Sequence, residues 1–194
     1  MSKGKPLYEV DRDGLRELWD GKPKSWVLRE LLQNAFDEQG VKIVKVTVDQ
    51  AKGTGRITVE DDAPEGFQRL SDAWTLYASC HKRPDPTKSG RYNLAEKVIV
   101  ALSRRVTIET TKGTVEFTSV RRQGRARRPF GSKVEAELRM NAAEYEEIMQ
   151  WVNLVIVPDH IMLTVNGTEI PHKRFINTFE AKLMKEERRR SGWE

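Results

Sequence analysis

The sequence predicts an α+β two-layer sandwich, a mixed but mostly antiparallel sheet with helices packed on one face. Two observations carry that expectation. β-rich runs are joined by short turn signals, Lys52-Gly53-Thr54-Gly55, Lys112-Gly113 and Asn166-Gly167, so hairpins outnumber crossovers. Amphipathic helical patterns arrive in blocks between those hairpins rather than alternating with single strands.

Asp11 to Asp20 reads as a short helix carrying Leu15, Leu18 and Trp19, and Gly21-Lys22-Pro23 interrupts it. A second helix follows, with Leu28, Leu31, Leu32, Ala35 and Phe36 as its apolar stripe, ending near Gly40. Ile43 to Val48 and Arg56 to Glu60 form a hairpin. Phe67, Leu70, Trp74 and Tyr77 recur at helical spacing and are expected to be core contacts. Residues 79 to 91 hold Pro84, Pro86, Gly90 and several cations, which predicts an irregular, mobile segment able to serve as a lid. Leu94 to Leu102 is expected to be helical, Arg105 to Thr110 and Thr114 to Thr118 to pair as strands, residues 121 to 129 to be an arginine-rich loop, and Lys133 to Leu138 to be a further strand. Asn141 with Glu144 is an N-cap signature for a helix bearing Tyr145, Ile148, Met149 and Val152. Ile161 to Ile170 closes on the Asn166-Gly167 turn. The organisation expected is one domain over 1–174 and a polar, basic tail over 175–194.

At 194 residues the chain suits one sizeable core. No apolar run approaches the roughly 20 residues of a membrane helix, and no apolar segment follows the basic N-terminus, so the expected location is cytoplasmic. One cysteine, Cys80, rules out an internal disulfide, and Cys80-His81 alone lacks the ligands of a zinc site. A net charge of +5 and a pI near 9.3 favour contact with polyanions, nucleotides included. Arginines 121, 122, 125, 127 and 128 keep a nucleic-acid-binding alternative open, although no aromatics are interleaved with them.

The most informative run is Arg29-Glu30-Leu31-Leu32-Gln33-Asn34-Ala35-Phe36-Asp37. It sets Glu30, Asn34 and Asp37 on one helical face, with the apolar stripe behind them. Downstream stand Ile57-Thr58-Val59-Glu60-Asp61-Asp62-Ala63-Pro64-Glu65-Gly66-Phe67 and then Gly90-Arg91-Tyr92-Asn93-Leu94-Ala95-Glu96-Lys97. In this order and combination the three features resemble the ATP-binding domain shared by DNA gyrase, the ninety-kilodalton heat-shock chaperones, histidine kinases and mismatch-repair ATPases, the GHKL superfamily. The resemblance covers about residues 25 to 172 and implies a Bergerat-type ATP-binding fold.

Carried over residue by residue, the resemblance makes Glu30 the base that polarises the attacking water and Asn34 the magnesium ligand. Asp37 becomes a carboxylate near the nucleotide, and Asp61 the acceptor for the exocyclic amine of adenine. Ser132 becomes the hydroxyl that supports Asp61. Gly66 belongs to the loop after that aspartate. Gly90, Arg91, Tyr92, Asn93, Leu94 and Ala95 form the glycine box at a helix start, with Lys97, Lys88 and Arg91 adding charge toward the phosphates. These roles suit the chemistry, since phosphoanhydride hydrolysis needs an oriented base and a hard cation with oxygen ligands. The implied function is a magnesium-dependent, slow ATPase, a hydrolase whose nucleotide state controls a lid and self-association. Its partners would be ATP and either a second copy or a transducer protein. The alternative is an ATP-sensing module without useful turnover.

The chain also departs from the family pattern. Ala63 replaces a glycine, one extra residue precedes Gly66, and Asn93 and Ala95 stand where glycines are usual. Glu30 favours hydrolysis over phosphotransfer to histidine, because the kinases generally keep asparagine there. Phe179 to Leu183 resembles the entry to a transducer domain.

Overall fold

The computed structural model describes residues 10–67, 69–76 and 94–174. The 79–91 segment, Tyr77, Cys80 and the 175–194 tail lie outside the described residues.

Alternation builds the sheet. β1 (Ile43–Ala51) buries Val44, Val46 and Val48 and exposes Lys45, Thr47 and Asp49, so one face is apolar and the other is wet. Lys52 and Gly53 turn the chain with φ of 50° and 77°, and β2 (Thr54–Asp61) runs back with Ile57 opposite Val48 and Val59 opposite Val46. β3 (Arg105–Thr110), β4 (Gly113–Phe117), β5 (Arg121–Gly124), β6 (Lys133–Arg139), β7 (Met162–Val165) and β8 (Thr168–Ile170) complete one eight-stranded sheet of order β5-β4-β3-β6-β2-β1-β7-β8. β1 and β7 pair in parallel, whereas every other neighbouring pair is antiparallel. The fold class is therefore the mixed, mostly antiparallel α+β sheet that the hairpin signals predict.

Among the described residues three helices cover the apolar face, and a fourth packs against one of them. α1 (Arg12–Trp19) is capped by Asp11, whose carboxylate accepts from Gly14 N at 3.1 Å. α2 (Lys24–Phe36) buries Trp26, Val27, Leu28, Leu31, Leu32 and Ala35 and packs on β2 and against α4 (Ala142–Val152). α3 (Ala95–Leu102) lies over β3 and β6, and α4 over β1. Both halves of the capping box on α4 form: Asn141 Oδ1 accepts from Glu144 N at 2.9 Å and Glu144 Oε2 accepts from Asn141 N at 2.8 Å. Arg12 and Arg16 tie α1 to the C-terminal end of α3, donating to the carbonyls of Ser103 at 2.7 Å and Ala101 at 2.9 Å. Cations are favoured at that end of a helix.

The structure differs from the sequence expectations in three places. Residues 121–124 form an edge strand rather than a loop, because the backbone of β5 pairs with β4 from Arg121–Phe117 to Gly124–Thr114. All four residues of β5 are exposed, so no hydrophobic alternation marks it, and its arginines blunt the open edge. The helical spacing from Phe67 to Trp74 yields only a four-residue 3-10 turn, Leu70–Ala73, although Phe67, Leu70 and Trp74 do pack partly buried against the core. Leu18 faces solvent at 81% exposure, while Leu15 and Trp19 meet the core.

Candidate functional site

A recess opens between the helix layer and the centre of the sheet, lined by Leu31, Asn34, Ala35, Glu38, Val59, Asp61, Phe67, Glu96, Ile108, Ser132 and Val134. Two periodicities generate this wall. Leu31, Asn34, Ala35 and Glu38 stand at i, i+3, i+4 and i+7, one face of α2 and the turn that follows it. Ile57, Val59 and Asp61 share the helix-facing side of β2, and Ser132 precedes Val134, Ala136 and Leu138 on the same side of β6. The alternation that buries valine and isoleucine along the core thus carries a carboxylate and a hydroxyl into the recess at the strand ends.

Asp61 is buried, and its Oδ1 accepts from Ala63 N at 3.0 Å and Ser132 N at 3.2 Å. No donor among the described residues engages Oδ2. Burial pushes the Asp61 carboxyl up from 3.8 to about 6; the nearby charges of Glu38 and Asp62 act in the same direction, and the two amide bonds oppose them. Ser132 Oγ accepts from Phe67 N at 2.8 Å, fixing the end of the loop that follows β2.

That loop is held by close backbone approach. Gly131 has φ +67°, and a Cβ there would lie 1.9 Å from the Asp61 carbonyl oxygen. Gly66 has φ +57°, and its Cβ would lie 2.7 Å from the Gly131 carbonyl oxygen. Only glycine fits both constraints. Asp62 faces away to accept from Lys42 N at 2.8 Å and Ile43 N at 2.9 Å, so it secures the start of β1. On the other side Lys112 Nζ meets Glu65 at 3.0 Å.

The remaining sequence-predicted residues separate into groups. Asn34 lines the recess, and its Nδ2 donates to Glu96 Oε1 at 3.0 Å. Glu30 lies one turn earlier on α2, outside the recess lining, and its Oε1 accepts from Arg29 Nη2 at 3.0 Å. Asp37 is the C-cap of α2, and the recess-facing carboxylate beside it is Glu38. Leu94 and Ala95 are the N-cap and first residue of α3, an N-terminus with no side-chain cap. Lys97 is buried at 8% exposure and donates to the Asp72 carbonyl, away from the recess lining. Lys88, Gly90, Arg91, Tyr92 and Asn93 lie outside the described residues.

Sequence reasoning singled out neither Glu96 nor Glu38. Glu38 is readable as i+4 from Asn34 on a helical face, but Glu96 reaches Asn34 only through the tertiary fold. Within the arginine cluster, Arg121 stacks over Trp74 at 4.2 Å from the ring centroid, and Arg128 pairs with Glu60 at 2.6 Å. Among the described residues no group of three or more His, Cys, Asp or Glu is arranged to hold a metal ion. No helix among them is long and apolar enough to cross a membrane.

No protein-family model matches the sequence. No curated protein matches it either. Among solved structures, the chain is similar to the ATPase region of Saccharomyces cerevisiae topoisomerase II, at 14% identity and a TM-score of 0.57 over 75% of this chain. The same region bound to ICRF-187 (dexrazoxane) matches equally, at 14% identity and a TM-score of 0.57. The chain spans about half the length of these structures, 48% of each. At this identity the likeness shows the fold alone, the mixed, mostly antiparallel sheet with helices packed on its apolar face.

Proposed function

We propose that the protein binds ATP with magnesium in this recess and hydrolyses it slowly. The observation that carries the reading is Asp61, a buried carboxylate whose Oδ1 is held by two backbone amides, in a recess where Leu31, Val59, Phe67, Ile108 and Val134 supply apolar surface beside the polar Asn34, Glu38, Glu96 and Ser132. Such a group costs free energy to bury unless a donor meets it. The exocyclic amine of adenine is a donor of suitable shape, flanked by apolar ring surface that Leu31, Val59, Phe67, Ile108 and Val134 would cover. Guanine presents a carbonyl acceptor at the corresponding edge and would face the carboxylate unfavourably. The enclosed part of the recess is about 40 Å³, room for a few waters and less than a purine needs, so seating the base requires the lining to move outward.

The residues also suit a magnesium nucleotide. Asn34 donates through Nδ2 and keeps its Oδ1 for a cation, and magnesium accepts a sparse protein shell when phosphate oxygens and waters complete it. When bound, the ion would neutralise charge on the phosphates. The uncapped start of α3 at Leu94 and Ala95 supplies amides and a favourable dipole for anions. Glu30, one turn along α2 from Asn34, is the proposed base, and to serve it must turn from Arg29 toward water. Nucleotide-controlled self-association completes the reading, with molar mass by light scattering as its readout.

The Arg29–Glu30 pair favours one second reading, an ATP-sensing module without useful turnover. One experiment addresses both. Competition binding of ATP and GTP should give a clear adenine preference, and phosphate release should exceed that of Glu30→Gln. No adenine preference would remove the site, whereas preference with turnover no higher than the variant would leave the sensing module.

A further inference from the structure

Glu96 stands in the first turn of α3 and Asn34 in the last turn of α2, 62 residues apart in sequence, yet Glu96 Oε1 accepts from Asn34 Nδ2 at 3.0 Å on the wall of the recess. We infer that Glu96 is a positioning residue, which fixes the orientation of the Asn34 carboxamide so that Oδ1 is the atom offered to a cation. The inference rests on the nucleotide reading of the recess.

A carboxamide has two nearly isosteric ends, and an isolated asparagine can present either. A carboxylate only accepts, so it must meet the NH2 end, and Oδ1 is then the end left over. No donor among the described residues occupies Oδ1. Glu96 is itself fixed: it is 16% exposed, its Oε2 lies 3.7 Å from Lys97 Nζ, and Lys97 is anchored to the Asp72 carbonyl. Lys97 thereby balances the carboxylate from within the wall, a different task from contacting phosphate. The N-terminal turn of α3 favours an anion at Glu96 as well. A partner that orients a metal ligand without touching the metal typically contributes 10- to 100-fold to metal affinity.

The test measures binding of a non-hydrolysable ATP analogue by calorimetry, with and without magnesium, in the parent, Glu96→Gln, Asn34→Ala and the double variant. Glutamine keeps the shape of Glu96 and can donate as well as accept, so it no longer dictates which end of Asn34 faces the recess. The expected result is a roughly 10- to 100-fold loss of the magnesium-dependent gain in Glu96→Gln, with magnesium-free binding unchanged and no loss in the double variant beyond that of Asn34→Ala. A purely structural role would lower the melting temperature and leave the magnesium-dependent gain intact, and that outcome overturns the inference. If the parent binds no nucleotide, the nucleotide reading fails, and the nitrogen-15 signal of the Asn34 side chain in the free protein decides the orientation claim. Slowed exchange of its NH2 protons that is lost in Glu96→Gln supports the claim; the same exchange in both overturns it.

Discussion

Replacing Asp61 with Asn is expected to stabilise the free protein while abolishing its nucleotide binding. A carboxyl raised from 3.8 to about 6 carries about 3 kcal/mol of unfavourable free energy once ionised, at about 1.4 kcal/mol per pH unit. The sign follows from proton binding. Because the folded-state value is the higher one, the native protein holds this proton more tightly than the unfolded chain between about pH 4 and 6. This group therefore costs nothing below that window, and its cost grows as pH rises through it and is fully present above about 7. Asparagine keeps an oxygen to accept from Ala63 N and Ser132 N but carries no charge to bury. At pH 7.5 the variant should melt roughly 6 to 12 °C above the parent, at about 2 to 4 °C per kcal/mol for a chain of this size. The gap should close as the pH is lowered to 4. Scanning calorimetry of both proteins across that range reads the difference directly. A variant less stable than the parent at pH 7.5, or a gap that does not change with pH, would refute the reasoning that burial strains this carboxylate.

Three further outcomes are expected. Gly131→Ala should cost more than about 2 kcal/mol in urea denaturation, because the new Cβ combines a left-handed backbone with a clash against the Asp61 carbonyl; a change within experimental error would contradict the close approach. Asn166→Ala should cost roughly 2 to 3 kcal/mol, since Asn166 accepts from Val48 N at 2.8 Å, donates to Val48 O at 3.1 Å and holds φ of 48°. Asn166→Gly should recover the backbone part of that loss, which separates the two contributions in the same assay. Glu30→Gln should retain analogue binding and lose roughly 10²- to 10⁴-fold in phosphate release, so parent-like turnover would dismiss Glu30 as the base.

Much of this architecture was legible in the sequence because the relevant signals are local. Val44, Val46 and Val48 alternate, Lys52-Gly53 and Asn166-Gly167 adopt the positive φ values that two-residue hairpin turns need, and Asn141 with Glu144 forms its capping box. Asp61, Ser132 and Asn34, singled out through the resemblance, line one recess, and alternation with helical period explains why they converge. What escaped depends on contacts distant in sequence. β5 is a strand only because β4 lies beside it, and Glu96 matters only because α2 and α3 meet at Asn34. The burial of Lys97 against the Asp72 carbonyl is a tertiary contact of the same kind. Phe67, Leu70 and Trp74 do pack against the core as their spacing predicts, around a four-residue 3-10 turn.

The central claim is that Asp61 reads adenine in a recess between α2 and the sheet. Its most direct test is calorimetric titration of the parent and Asp61→Asn with a non-hydrolysable ATP analogue in magnesium, beside the matching guanine analogue. The account predicts binding of the adenine analogue to the parent, its loss in a variant that remains folded, and no comparable binding of guanine. Equal binding by parent and variant, or no preference between the two bases, would contradict it.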